Sequence, residues 1–407
     1  MNKKIAGNIV FLYGFSFAKI ILPLITLPYL TRVLSVDAYG VVSYTKSVIA
    51  YFQLFIDFGF MLSGTKKIVR CKGDKAATSR LMTDILVSKG FLVILSIPVL
   101  VVLSFCIPIF KGYEFFLYLS FIPVALTIFL FDFVFRGLEK MHLLTIRFLM
   151  MKGISAALTF VFVHGDTDIM WIPVLDTIGS VLAIIFVIAE LKKEGLGLKF
   201  SRFSSAISEL TDSAVFFVSN MAQTVFSALN TIIIGLFLNA ADVAFWSLCM
   251  QMVTAVQTMY QPITDGIYPQ MVATKDLSIV KKIMKIFMPV ITIGCIFTLA
   301  VSRYALLIIG GAKYIAAENV LRLLVPVMFF GFPCIIFGWP TLGAINKDKL
   351  VTFSTIIGAL FQLISLVLLG VTGHFNIFSI AICRSLTEII LCGIRFCFFI
   401  QNRTEFK

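Results

Sequence analysis

The sequence predicts an all-α polytopic membrane protein of about twelve transmembrane helices in two six-helix lobes. Three observations predict it. Of the 407 residues, 59% are hydrophobic and 14% charged, and the mean hydropathy is +1.01; a soluble domain clothes its surface with about a quarter charged residues. Twelve stretches approach the ~20 apolar residues that cross the hydrocarbon. The cations also alternate between loops. Of 34 Lys and Arg, 23 fall in the tails and even-numbered loops, four (Arg32, Lys111, Lys313, Arg322) in the odd-numbered loops, and seven inside spans. That asymmetry follows the positive-inside rule and places both termini in the cytoplasm. The net charge of +13 is therefore mostly topology, and no nucleic-acid partner is expected.

Span one, 8–30, is long enough to cross and has no small-residue cleavage site behind it, so no cleavable signal is expected. It carries Lys19 near its middle, with Pro23 and Pro28 bending the helix behind it. Span two, 40–62, holds Lys46 and reaches Gln53 and Asp57 near its inner end; a basic loop, 63–84, follows. Spans three to six are 85–107, 115–136, 146–163 and 171–189, and include Lys89, Asp132, Lys152 and Asp176. The outer turn HGDTD, His164 to Asp168, reads as solvated rather than metal-binding. An amphipathic loop, 190–210, lies at the midpoint of the chain. Spans seven and eight, 211–238 and 241–273, carry Asn220, Gln223, Asn230, Gln251, Gln257, Gln261 and Asp265. Spans nine to twelve are 286–309, 319–340, 350–371 and 377–400, with Arg303, Arg384, Glu388 and Arg395 inside them. The eight cysteines lack metal-ligand spacing and read as small apolar packing residues.

Two weak matches suggest an internal repeat. Gln53 and Asp57 form a Q-x-x-x-D, and Gln261 and Asp265 another, 208 residues on. VLSVDAYGVVSY faces FLNAADVAFWSL at an offset of 204. Parallel repeats fit an N-terminal lobe over 1–200 and a C-terminal lobe over 201–407, whose rocking gives alternating access to a central interface.

LPLITLPYLTRVLSVDAYG followed by YFQLFIDFGFMLSGTKKIVR resembles the N-terminal signature of bacterial O-antigen flippases, the polysaccharide branch of the multidrug/oligosaccharidyl-lipid/polysaccharide exporters. Pro23, Pro28-Tyr29-Leu30, Arg32-Val33-Leu34, Tyr39-Gly40, Asp57-Phe58-Gly59-Phe60 and Gly64-Thr65 carry the likeness. The resemblance implies a fold similar to multidrug and toxin extrusion transporters, in the bacterial inner membrane. It further implies that undecaprenyl-diphosphate-linked oligosaccharide moves from the cytoplasmic to the periplasmic leaflet. Membrane lipids, the O-antigen polymerase, a chain-length regulator and proton or sodium coupling come with that expectation. A drug/cation antiporter of the same fold would want an anionic cavity, which the intramembrane lysines argue against. A polymerase or glycosyltransferase would want a long outer loop, which is absent from the sequence. Exporters of teichoic-acid or capsule precursors stay as near alternatives. No P-loop, G-x-S-x-G or H-E-x-x-H occurs, so neither an enzyme nor a cofactor is expected.

A charge at bilayer depth costs ~3 kcal/mol on insertion scales, which makes the intramembrane charges the candidate site. Lys89, Lys152 and Arg395 lie near cytoplasmic span ends and Arg303 near an outer end, where long side chains snorkel to the headgroups. Lys19, Lys46 and Arg384 are deeper. Two readings stand for Lys19 and Lys46: a buried ion pair with Asp57 or Asp132, or a cationic lining for an anionic lipid diphosphate. The second is taken forward, since ammonium groups replace the hydration of the diphosphate as point charges. Arg384 and Glu388, four apart, form a salt bridge across one helical turn, and Arg384 joins the candidate substrate contacts. Asn220, Asn230, Gln251 and Gln257 either meet sugar hydroxyls or bond helix to helix. Asp57, Asp132 and Asp265 near inner ends serve gating or coupling, and Asp176 is placed near the outer surface, hydrated. Reporter fusions after Lys72 and after Lys199 are expected to read cytoplasmic; a periplasmic signal at either position overturns the topology.

Overall fold

In hydrocarbon every backbone N–H and C=O has to be bonded within the chain, so the helix is the default and each interruption needs a local solution. The computed structural model describes Ala18 and residues 21–71, 73–199 and 203–406, apart from the side chains of 203–204, 215, 218–220, 222–228, 265 and 269. Lys19 lies outside the described residues, as do the side chains of Asn220, Gln223 and Asp265. The described residues form helices and turns, with no strand among them.

The helices begin with α1 (Ile21–Val33), α2 (Val36–Asp57), α3 (Phe60–Arg70) and α4 (Lys75–Cys106). Next come α5 (Glu114–Leu126), α6 (Asp132–Gly137), α7 (Met141–Phe148), α8 (Ile154–Phe162) and α9 (Trp171–Lys193). Then follow α10 (Phe203–Phe237), α11 (Ala240–Thr258), α12 (Gln261–Thr274), α13 (Leu277–Gly310), α14 (Glu318–Ile336), α15 (Asp348–Val371) and α16 (Ile377–Gln401). Nine helical stretches among the described residues are long and apolar enough to cross a membrane. They stand where spans two to six and nine to twelve are expected, and the chain is a multi-pass membrane protein. In place of expected spans one, seven and eight stand α1, α10, and α11 with α12.

The chain forms two compact units, Met1–Leu236 and Phe237–Lys407. Within each, caps and breaks recur in the same order. Ser35 caps α2 by accepting from the Ala38 N–H, and Asn239 caps α11 by accepting from the Asp242 N–H, at the offset of 204 that the sequence match gives. Asp74 caps α4 behind Gly73 (φ +104), and Asp276 caps α13 behind Lys275 (φ +52), 202 residues on. The Q-x-x-x-D match is a different matter. Gln53 and Asp57 close α2 before its break at Phe58 and Gly59, whereas Gln261 and Asp265 open α12 after the break at Met259 and Tyr260. The two motifs lie on opposite sides of breaks about 201 apart, so they are not equivalent positions.

The break after α2 shows how an interruption is held. Phe58 (φ +39) and Gly59 (φ +78) both take the left-handed conformation, which a bulky residue rarely adopts. A Cβ on Gly59 would lie 2.6 Å from the Cβ of Phe216, so the chain needs glycine there for both conformation and space. Phe58 stacks on Phe217 with ring centroids 4.5 Å apart. Below the break, Phe60 and Ile68 of α3 pack with Phe133 and Phe135 of α6 and with Met82 and Ile85 of α4 as the core of the first unit. In the second unit the most apolar window of α14 and its flanking turns is 67% buried and that of α13 only 6%. The first is therefore the centre of its unit and the second is a lipid-facing helix.

Both aspartate caps at the starts of α4 and α13 are exposed, and their hydrogen bonds hold the carboxyls below the usual range. For Asp74 the donors are the backbone N–H groups of Ala77 and Ala76; for Asp276 they are the side chain and backbone N–H of Ser278. A carboxyl whose folded value is depressed stabilises the fold above its unfolded value of about 4, and that contribution is lost as pH falls through the folded value. Asp74→Ala and Asp276→Ala are each expected to lower the melting temperature at pH 7, by an amount that shrinks as pH falls below about 4. An equal loss at pH 7 and pH 3 would show that the carboxylate charge is not involved.

Candidate anion site

A cavity of the first unit lies among three helices, α2, α5 and α9. On α2, Lys46 stands ten residues beyond Val36, about 15 Å along the axis at 1.5 Å per residue; Thr45 is its neighbour. Phe116, Ser120 and Pro123 come from α5, and Asp176 comes from the second turn of α9. The cavity measures about 50 Å³, more than the ~10–15 Å³ that one water needs. Lys46 is exposed into it. No ion pair of Lys46 is present among the described residues, and it meets Asp176 and Lys152 through space.

Asp176 is held from the far side. Its Oδ1 accepts from Lys152 Nζ at 3.0 Å and from Ser155 Oγ at 2.7 Å. Lys152 belongs to a π-helical turn, Leu149–Gly153, between α7 and α8. Such a turn carries one extra residue in the helix and re-aims the side chains on it. The turn sits against α9 because Gly179 leaves room for it: a Cβ there would lie 2.2 Å from the carbonyl oxygen of Met151. The cavity wall carries Lys46 and Asp176, and Lys152 stands behind Asp176; counted with that second ammonium, the three groups have a net single positive charge. It suits an anionic group better than a cationic one.

The structure redistributes the other expected charges. Asp57 accepts from Lys89 Nζ at 2.9 Å and Gln53 Nε2 at 2.8 Å, and Asp132 pairs with Arg147 at 2.8 Å. Neither carboxylate takes Lys46, which corrects the ion-pair reading for that residue. Lys89, expected to snorkel, is buried on α4, where the C-terminal carboxylate of α2 is nearer than the headgroups. Lys152, also expected to snorkel, holds Asp176. Arg395 donates to Ser354 Oγ, Thr355 Oγ1 and the Cys334 carbonyl at 2.9–3.1 Å, an internal helix clamp rather than a headgroup contact. Asp176, expected to be hydrated near the surface, lines the cavity instead.

The remaining candidates lie elsewhere. Arg384 and Glu388 pair at 2.8 Å, both buried, as their spacing implies. Gln257 donates to the Val327 carbonyl at 3.3 Å, and Gly331 packs against its amide. Tyr260 donates to the Met328 carbonyl at 3.0 Å. Both bonds serve the backbone of α14 between its Pro326 and Pro333, where a proline weakens the local ladder. Gln251 is half-buried and Asn230 buried, and neither is among the residues that line the Lys46 cavity. In the outer turn, Asp166 and Asp168 accept from the backbone N–H groups of Ser35 and His164.

Sequence reasoning missed Ser155 and the roles of Lys152 and Asp176. The available signal is Gly179, a small residue one turn after an intramembrane aspartate. Gly179→Ala is expected to cost roughly 1–3 kcal/mol through overpacking and to push the π-helical turn away from Asp176. Thermal unfolding of the detergent-solubilised protein checks it; an unchanged melting temperature would show that this contact is soft.

Residues 5–275 match the family described as polysaccharide biosynthesis protein. The chain is 25% identical over 404 residues, 97% of each chain, to a protein of Escherichia coli (strain K12) named for O-antigen transport. A Shigella dysenteriae protein of the same name is 26% identical over 269 residues, covering 65% of this chain and 66% of that one. The fold is similar to that of the lipid II flippase MurJ in an inward closed conformation, with a TM-score of 0.75 at 12% identity over 97% of this chain and 87% of that one. It is also similar to an inward-facing multidrug resistance transporter of the MATE family, with a TM-score of 0.70 at 12% identity and 94% coverage of both. The two relatives are named for transport, and the fold is one that a flippase and a multidrug transporter share. The chain belongs to the polysaccharide biosynthesis protein family.

Proposed function

We propose that this transporter flips an undecaprenyl-diphosphate-linked O-antigen, or a related surface-polysaccharide repeat unit, from the cytoplasmic to the periplasmic leaflet of the inner membrane. Both termini face the cytoplasm in this proposal, and the lobes 1–200 and 201–407 move by alternating access. No chemical step on the glycan is part of the cycle. Asp57, Asp132 and Asp265 are the acids we assign to gating or to proton or sodium coupling. The O-antigen polymerase and chain-length regulator act on the delivered product.

The observation that carries the proposal is Lys46, a cation open to a cavity at span depth in a family whose relatives are named for O-antigen transport. A point charge there replaces part of the water that an anionic lipid headgroup loses on leaving the interface. The same role is proposed for Lys19.

The test is complementation in a host that lacks its own exporter and makes the matching glycan. Lys46→Arg is expected to retain surface glycan, and Lys46→Ala to lower it. Lys46→Glu is expected to lower it by at least tenfold, roughly the cost of a like charge against the cargo, with lipid-linked intermediate accumulating inside. Equal export by Lys46→Glu and wild type at equal membrane abundance would remove Lys46 from the mechanism. Full export of a teichoic-acid or capsule precursor with none of O-antigen would reassign the cargo.

A further inference from the structure

The cavity around Lys46 contains more charge than an anion site needs, and the surplus is a carboxylate. Asp176 faces into the cavity from α9 while Lys152 Nζ and Ser155 Oγ hold its Oδ1 at 3.0 and 2.7 Å. The charged groups facing it are Lys152 from the π-helical turn and Lys46 from α2; α8 adds Ser155, and the polar group that α5 adds to the lining is the hydroxyl of Ser120. If the cavity served only to hold an anion, an acid in its wall would be a defect. It would repel the incoming group and occupy one of two cations.

We propose that Asp176 is an internal counter-anion that keeps Lys152 occupied, so that the anionic group of the cargo meets one free ammonium, Lys46, and is held weakly enough to be released. This assignment rests on the anion-carrier reading of the same cavity. A carrier gains nothing from tight binding, because each cycle ends in dissociation, and differences in affinity within one site fall mainly on the dissociation rate. Asp176 is thus an affinity-setting residue. Its hold on Lys152 is supported by the backbone: Gly179 admits the π-helical turn to α9, and that turn carries Lys152. The pair is also not sealed. The Lys152 side chain is 41% exposed and that of Asp176 24%, and the melting curve of Asp176→Asn reads whether the fold tolerates the freed ammonium.

The experiment uses the full chain in detergent, with inorganic pyrophosphate as the probe, titrated calorimetrically against wild type, Asp176→Asn, Lys152→Gln and Lys46→Gln. Melting curves establish that each variant is folded. Asp176→Asn frees a second cation and removes the repulsion, so pyrophosphate is expected to bind roughly tenfold tighter than to wild type, while export in cells becomes slower. Lys152→Gln turns Asp176 toward Lys46 and is expected to weaken binding several-fold; a merely structural Lys152–Asp176 pair would leave the affinity of the folded variant unchanged. Lys46→Gln is expected to bind weakest. If Asp176→Asn binds no tighter than wild type, or Lys152→Gln binds as well as wild type, while Lys46→Gln still weakens binding, the counter-anion is overturned and the anion-carrier reading stands. Should Asp176→Asn be unfolded, Lys152→Gln decides by the same criterion. If Lys46→Gln binds as wild type does, or neither wild type nor Asp176→Asn binds, the anion-carrier reading falls and takes this assignment with it.

Discussion

A charge at the depth of the hydrocarbon has to be met by another charge or by water, and the first unit is arranged around that requirement. Lys89 with Asp57, Arg147 with Asp132, and Lys152 with Asp176 are three cation–carboxylate pairs, each joining elements that are not neighbours along one helix. Each pair favours one rotation of the helices that bear it, because turning a helix to another face would carry the cation away from its carboxylate. Such pairs contribute modestly to stability after desolvation is counted, but breaking one by removing a single partner costs about 3–5 kcal/mol when the remaining charge is buried. They therefore act as constraints on register more than as glue. Lys46 differs from these three cations: no ion pair of it is present among the described residues, and it faces the cavity.

The carboxylates of these pairs stand close to irregular backbone. Asp57 is the last residue of α2 before the left-handed Phe58, and Asp132 is the first residue of α6 after the left-handed Phe131. Their electrostatic situations differ. At the start of α6 a negative charge is favoured by the helix dipole, whereas at the end of α2 it is disfavoured, and there Lys89 supplies the compensation. At Asp176 the irregularity lies in the partner, the π-helical turn that carries Lys152. Breaks in spanning helices free backbone groups and redirect side chains, so polar chemistry gathers there. In the second unit the amide of Gln257, the hydroxyl of Tyr260 and the guanidinium of Arg395 all bond carbonyls of α14, beside the buried Arg384–Glu388 pair.

This division of labour fits a transporter. The charged pairs of the first unit and the carbonyl donors of the second leave most ionisable groups satisfied within the protein. Among the described residues, the cavity of about 50 Å³ offers the ammonium of Lys46 and the hydroxyls of Thr45 and Ser120. Weak, charge-selective contact of that sort suits the lipid-linked cargo of the function proposed above, which has to be released in every cycle.

The sequence by itself determined the class of the fold, the positions of most spans, and the one charge pair that lies within a single helix. Apolar length and loop charge are properties of the chain read locally, and Arg384 meets Glu388 because four residues make one turn. The offset between Ser35 and Asn239 was likewise legible, since a capping residue acts only on the turn that follows it. Only the tertiary structure decided the partners of Asp57, Asp132 and Asp176, which lie 32, 15 and 24 residues from their cations. Lys89 and Arg395 were assigned to the headgroups because depth alone was counted, whereas the face each helix turns to its neighbour chooses between lipid and protein. The π-helical turn was out of reach for the same reason. One extra residue in a helix leaves hydropathy unchanged, yet it rotates everything beyond it, and whether the chain accepts that rotation depends on Gly179 of a helix packed against it.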